Sequence, residues 1–172
     1  FEIKTFGSMD LMQLCGIIKN RYDETTALDR PSEILVDVIG LGAGVVDRLS
    51  EQNLPARGIN VAEAPATSKN YLNLRAELWF KVKEWLAGRD CCLPDDDELV
   101  AELASPVYKY TSSGKIKIES KEEMKKRGIK SPDKADALAL TMASSAVSFG
   151  GSQSFMGYNF RKPLKSRIIR VG

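Results

Sequence analysis

The chain has 172 residues, 43% of them hydrophobic and 28% charged, with a net charge of only +2. That is the size and balance of one globular domain with its own core, so any nucleic-acid footprint must come from local charge clusters. The lack of histidine excludes the usual zinc sites and Ser-His or Cys-His catalysis, and no apolar run approaches the roughly 18 residues of a membrane span.

Chemistry must therefore rest on carboxylates, lysines and hydroxyls. Cys15 and the adjacent Cys91 and Cys92 show no framework spacing and indicate reduced thiols in a cytosol-like compartment. With Phe1 in place of an initiating Met and no visible signal peptide, the sequence reads as a piece of a longer chain.

In chain order, Phe1 to Phe6 alternates apolar and polar residues and predicts an edge or hairpin strand ended by Gly7. Ser8 is placed to N-cap a helix whose broad apolar face runs from Met9 to Ile18 and which ends near Tyr22. After the turn at Asp29-Arg30-Pro31 comes ILVDVIGLGAGVVDRL, Ile34 to Leu49. Ile34, Leu35 and Val36 suit a strand buried on both faces, Asp37 follows directly, and Gly40, Gly42 and Gly44 allow a tight turn into a helix ending near Gln52. Gly58 to Val61 is a short strand candidate, and Glu63 to Lys69 a surface loop.

Tyr71 to Leu86 has helical spacing, with Trp79 and Trp85 read as core anchors and Ala87-Gly88 as the stop. Asp95 to Glu98 open a short helix, where acids favour the macrodipole. VYKY (Val107 to Tyr110) and KIKIES (Lys115 to Ser120) alternate around Thr111-Ser112-Ser113-Gly114, which predicts a hairpin bearing Lys109, Lys115 and Lys117 on its polar face. A short charged helix, Lys121 to Arg127, stops at Gly128; Ser131 as N-cap and Pro132 at the first position then start the last helix. The domain is expected to span 1–149. From Gly150 to the end there is no acid and five Lys or Arg residues, which reads as a flexible basic tail able to contact DNA or another component.

Two acidic positions carry the functional reading. Asp37, at the C-terminal end of a strand, sits where open α/β sheets place ligands. Asp133 and Asp136, three apart on the last helix, share a face. Their mutual repulsion is readily explained by a divalent cation between them, although both also suit a helix N-terminus. Carboxylates without histidine favour Mg²⁺ or Mn²⁺, and two such ions about 4 Å apart support phosphodiester cleavage. Lys117, Lys121, Lys125, Lys126, Arg127, Lys130 and Lys134 surround this site in sequence, as a solvated face or as a phosphate-backbone track.

The blocks VDVIGLGAGVVDRL, APATSKNYLNLRAELWFKVKEWL and KIKIESKEEMKKRGIKSPDKADALALT together resemble the C-terminal nuclease domain of tailed-bacteriophage large terminase subunits. The resemblance covers about Phe1 to Ala146. It implies an α/β, RNase H-like (RuvC-like) mixed sheet flanked by helices, with an auxiliary β-hairpin. It also implies a viral packaging endonuclease that cuts concatemeric double-stranded DNA with two Mg²⁺ or Mn²⁺ ions. Asp37 resembles the acid at the end of the family's second conserved strand, Asp136 the acid on the closing helix, and Asp133 a further ligand. Lys109, Lys115, Lys117, Lys121, Lys125, Lys130 and Lys134 would meet DNA. The implied partners are double-stranded DNA, the terminase ATPase domain, the small terminase subunit and the portal protein, in the cytoplasm of the bacterial host.

Two departures stand out. The family's first metal-binding Asp, on an opening strand, has no counterpart here, so a chain starting at Phe1 is expected to lack that strand and one ligand. The motif G-x-x-x-x-G-K-[ST] is absent, so ATP hydrolysis is not assigned to this piece. Two other readings compete: a DNA-binding or assembly module of the same fold that cuts nothing, and a nucleotide-binding α/β domain suggested by Gly40, Gly42 and Gly44. The second has G-x-G-x-G in place of G-x-G-x-x-G and sets Asp37 against a phosphate of like charge. Alanine at Asp37 or Asp136 is expected to abolish cleavage and leave the fold intact.

Overall fold

The computed structural model describes residues 3–7, 9–89 and 91–144, together with the backbone of 168–171. Strand β1 (Ile3–Phe6) precedes helix α1 (Leu11–Glu24). Ser8 lies outside the described residues; the cap is Asp10, which accepts from the Gln13 N–H at 2.8 Å while Gln13 Oε1 accepts from the Asp10 N–H.

A parallel β-α-β unit follows: β2 (Ile34–Asp37), α2 (Gly42–Glu51) and β3 (Ala56–Ile59), with Ile34 opposite Ala56 and Asp37 opposite Ile59. Strand β3 begins two residues before the expected position, because the Ile34 N–H already bonds Pro55 O at 2.8 Å and sets the register there. Strand β2 is half-buried, with Asp37 exposed at its end, where its composition suggested full burial; among the described residues it has one hydrogen-bonded neighbour, β3. Ile34 and Val36 pack with Leu14, Cys15, Ile18, Val45 and Leu49, the core between α1 and α2. Strand alternation turns Leu35 and Asp37 to the opposite face.

The turn between β2 and α2 explains two of its glycines. Gly40 has φ +83°, a conformation that costs other residues strain. Gly42 lies so close to β2 that a Cβ would stand 1.7 Å from Asp37 O. Alanine in a helix ordinarily gains about 1 kcal/mol over glycine. Here the clash is with backbone and decides the sign. Gly42→Ala is expected to cost about 3 kcal/mol, measured as a lower urea midpoint; an unchanged midpoint would refute the close approach.

Helix α3 (Leu74–Ala87) starts three residues later than expected. Tyr71 instead bridges to Ile116, and Asn73 caps the helix by accepting from the Ala76 N–H at 3.0 Å. Helix α4 (Asp97–Ala104) is capped by Asp96. The expected hairpin is present as antiparallel β4 (Tyr108–Tyr110) and β5 (Ile116–Ile118).

Helix α5 (Lys121–Lys126) follows a capping box between Ser120 and Glu123. Helix α6 (Asp133–Thr141) begins one residue later than expected, with Pro132 in the cap position and no side-chain cap of its own. The Ser131 hydroxyl donates to the Asp133 carboxylate, and Glu102 of α4, itself buried, accepts the free Ala135 N–H at 2.9 Å.

A second core joins α3, α4 and α6 through Leu78, Trp79, Val82, Leu99, Leu138 and Met142. Trp79 is buried and Trp85 packs at its edge, as expected of anchors. Helix α6 also packs against β2, so the β2–β3 pair lies between the two cores. Of the basic segment expected as a tail, residues 150–167 lie outside the described residues. Ile168–Val171 forms a strand, β6, parallel to β1, which its branched run Ile168-Ile169 favours.

Candidate functional site

Helix α6 runs antiparallel to β3, a direction set by two contacts. Near the start of β3, the Arg57 guanidinium donates to Ala143 O, just past the end of α6, at 2.7 Å. Just beyond the end of β3, the Val61 carbonyl accepts the Arg75 N–H at 2.9 Å, and the Arg75 side chain reaches Asp136 in the first turn of α6. The C-terminal ends of β2 and β3 and the N-terminal end of α6 therefore meet at one edge. Asp37 is at that edge, beside Ile59.

Asp133 and Asp136 are together on α6, as their spacing required. Lys121, the first residue of α5, places its ammonium 3.6 Å from Asp133 Oδ1 and 3.6 Å from Asp136 Oδ2. A cation thus already stands between the two carboxylates. The donors gathered here are two carboxylates, oxygen ligands of the class that hard divalent ions prefer.

Asp136 carries a second set of contacts. Its Oδ1 accepts from Arg75 Nη2 at 3.0 Å, Arg75 Nε at 3.2 Å and Trp79 Nε1 at 2.9 Å. Arg75 Nη1 also donates to Glu119 O at 2.7 Å, tying α6 to the end of the hairpin. Arg75 and Trp79, four apart on α3, were not singled out as functional from sequence. Their spacing puts them on one face, but only the fold brings Asp136 to it.

Asp37 is exposed, and its Oδ1 accepts from the Ile39 N–H at 3.1 Å, so it does cap its own turn. The structure gathers Asp133 with Asp136 but does not close Asp37 onto them: among the described residues, no three Asp, Glu or Cys side chains are grouped to hold a metal ion.

The lysines divide into groups. Lys134 is only 12% exposed, held at 2.8 Å by both Asp96 and Glu98, and the hydrogen bond to Asp96 leads in raising its pKa. Its charge is thus already paired with two carboxylates of α4 and its cap. Lys130, largely exposed, pairs with Glu98 at 2.9 Å. Lys109 and Lys117 face each other across the hairpin and share Glu123, at 3.6 and 3.3 Å. Lys115 and Lys125 show no ion pair among the described residues. Lys121, Lys125 and Lys130, with Glu122, Ile129 and Ser131, line a surface cavity of about 450 Å³.

Glu123 is held down to a pKa of about 2, first by the Ser120 N–H and then by Lys117. A pKa lowered on folding contributes stability above the unfolded value, near 4.5, and loses it as pH falls toward 2. Stability of the chain is therefore expected to fall between pH 4.5 and 2, and the fall should be smaller in Glu123→Gln. Identical pH profiles of the thermal midpoint would contradict this.

No protein-family model matches the chain, and no curated protein matches it by sequence. Solved structures do. A variant nuclease domain of the large terminase subunit gp2 of bacterial virus Sf6, with manganese and beta-thujaplicinol, is 24% identical, with a TM-score of 0.64 over 80% of this chain and 74% of that one. A further form of that domain, with calcium, is 23% identical, with a TM-score of 0.60 over 79% and 74%. The Sf6 nuclease domain itself gives 23% identity and a TM-score of 0.58 over 78% and 71%. The class is thus an RNase H-like α/β fold with an auxiliary hairpin, as the sequence implied. More narrowly, the chain shares the fold of the nuclease domain of a phage large terminase subunit.

Proposed function

We propose that the chain is the metal-dependent nuclease domain of a phage large terminase subunit, cutting concatemeric double-stranded DNA during genome packaging. The observation that carries this reading is the acidic edge. Asp133 and Asp136 share one cation, on a fold common to a nuclease domain solved with manganese and with calcium, and Asp37 lies at the same end of the β2–β3 pair.

Asp37, Asp133 and Asp136 would hold Mg²⁺ or Mn²⁺. When bound, such ions supply an activated water and charge compensation at the leaving oxygen. Lys121 partly offsets the charge of Asp133 and Asp136 and, half exposed on a flexible stem, can swing toward a DNA phosphate. Lys115, Lys125 and Lys130, with Lys109 and Lys117 on the hairpin, would track the phosphate backbone. Partners in this reading are the terminase ATPase domain, small subunit and portal protein, in the host cytoplasm. Among the described residues, no helix is long and apolar enough to cross a membrane.

The non-catalytic module keeps one supporting observation, the saturation of Asp136 Oδ1 by Arg75 and Trp79. The nucleotide-binding alternative loses ground, since Asp37 O occupies the space a side chain at Gly42 would need, which ties that glycine to the turn. Conversion of supercoiled plasmid with Mn²⁺ or Mg²⁺, blocked by EDTA, is the expected result. Salt-sensitive DNA binding without cleavage under either metal would point to the module.

Lys121→Ala provides a check on the cation's place. Removing an ammonium from between two carboxylates is expected to tighten Mn²⁺ binding about tenfold, on the order of 1.4 kcal/mol, in a calorimetric titration. Unchanged affinity would place the ion elsewhere.

A further inference from the structure

We propose that Arg75 and Trp79 are positioning residues that set the orientation of Asp136 for a bound cation, an inference that rests on the metal reading above. Three N–H groups converge on one oxygen, Oδ1: two from Arg75, at 3.2 and 3.0 Å, and one from Trp79, at 2.9 Å. A carboxylate oxygen so filled has no lone pair aimed elsewhere. The carboxylate is therefore fixed in rotation, and Oδ2 is the atom left facing Lys121, 3.6 Å away. Outer partners of this kind lock the geometry of a ligating carboxylate.

The same arginine also fixes distance. Its backbone N–H is bonded to Val61 O beyond β3, and its side chain holds both Asp136 and Glu119 O. Arg75 thus ties the strand edge that carries Asp37 to the helix that carries Asp136. Its guanidinium lies 5.8 Å from the Trp79 ring centroid, which steadies the pair. Arg75 is 16% exposed and Trp79 buried, so water does not compete freely for these bonds.

Charge would confuse a test made by deleting Arg75, because losing a cation favours metal by itself. Trp79→Phe and Arg75→Lys both keep the charge: the first removes one N–H, the second replaces the two-pronged fork by a point donor. Trp85→Phe, at the edge of the same core but with no bond to Asp136, controls for lost packing. The readout is the Mn²⁺ dissociation constant, taken from the EPR signal of free Mn²⁺, with a thermal midpoint for each variant. Trp79→Phe and Arg75→Lys are expected to bind Mn²⁺ about tenfold more weakly, and Trp85→Phe as wild type does. Should Trp79→Phe fail to fold, Arg75→Lys carries the same comparison. Unchanged affinity in either folded variant, or equal weakening in Trp85→Phe, would overturn the inference. Wild-type chain that binds no Mn²⁺ would overturn the proposed function and this inference with it.

Discussion

Asp133→Asn is expected to reduce metal-dependent plasmid cleavage by about a thousandfold or more and to leave the thermal midpoint close to that of wild type. Asparagine keeps an oxygen to accept the Ser131 hydroxyl, and the ion pair it gives up to half-exposed Lys121 is a long one, at 3.6 Å. What it removes is a negative oxygen donor. Metal-assisted charge stabilisation contributes several kcal/mol to a transition state, and each 1.36 kcal/mol is roughly a factor of ten. Asp37→Ala should behave alike, since among the described residues its exposed side chain serves the Ile39 N–H alone, a bond water can replace. Retained cleavage in either variant, assayed by gel over a Mn²⁺ series, would mean the chemistry is housed elsewhere.

Asp136→Ala is a different case, and here the structure revises the expectation that the fold would be left intact. Alanine would strand the Arg75 guanidinium, 16% exposed, and the Trp79 N–H inside the contact between α3 and α6. Leaving part-buried donors of an ion pair without their acceptor costs about 1–3 kcal/mol. Asp136→Ala should therefore unfold at clearly lower urea and lose cleavage together. Asp136→Asn, which still offers Oδ1 to the same donors, should recover much of the stability without the activity. Urea unfolding of both variants checks this; an Asp136→Ala chain as stable as wild type would show that the three N–H bonds contribute nothing to folding.

Much of this was legible in the residues themselves. Alternation marked β4 and β5, and the glycine turn with its apolar helix marked β2 and α2, because each signal is local. The pairing of Asp133 with Asp136 followed from a spacing of three on a helix. Long-range partners were not legible. Arg75 and Trp79 sit in a helix read for its apolar face, and nothing local says that α6 will cross it with Asp136 inward. Lys134 looked like one more cation in a basic run, yet the fold sets it against Asp96 and Glu98, far back in the chain. The start of α6 slipped for a tertiary reason: Glu102 of α4 accepts the Ala135 N–H, and the Ser131 hydroxyl turns to the Asp133 carboxylate instead of capping the helix.

The most direct measurement is an anomalous difference map from crystals soaked in Mn²⁺. The expected result is density within roughly 2.0–2.6 Å of Asp133 and Asp136 oxygens, with Lys121 displaced and Asp37 drawn in as a shared ligand. Peaks confined to other sites, or an Asp37 carboxylate more than about 12 Å from Asp136 with metal bound, would contradict a common metal site.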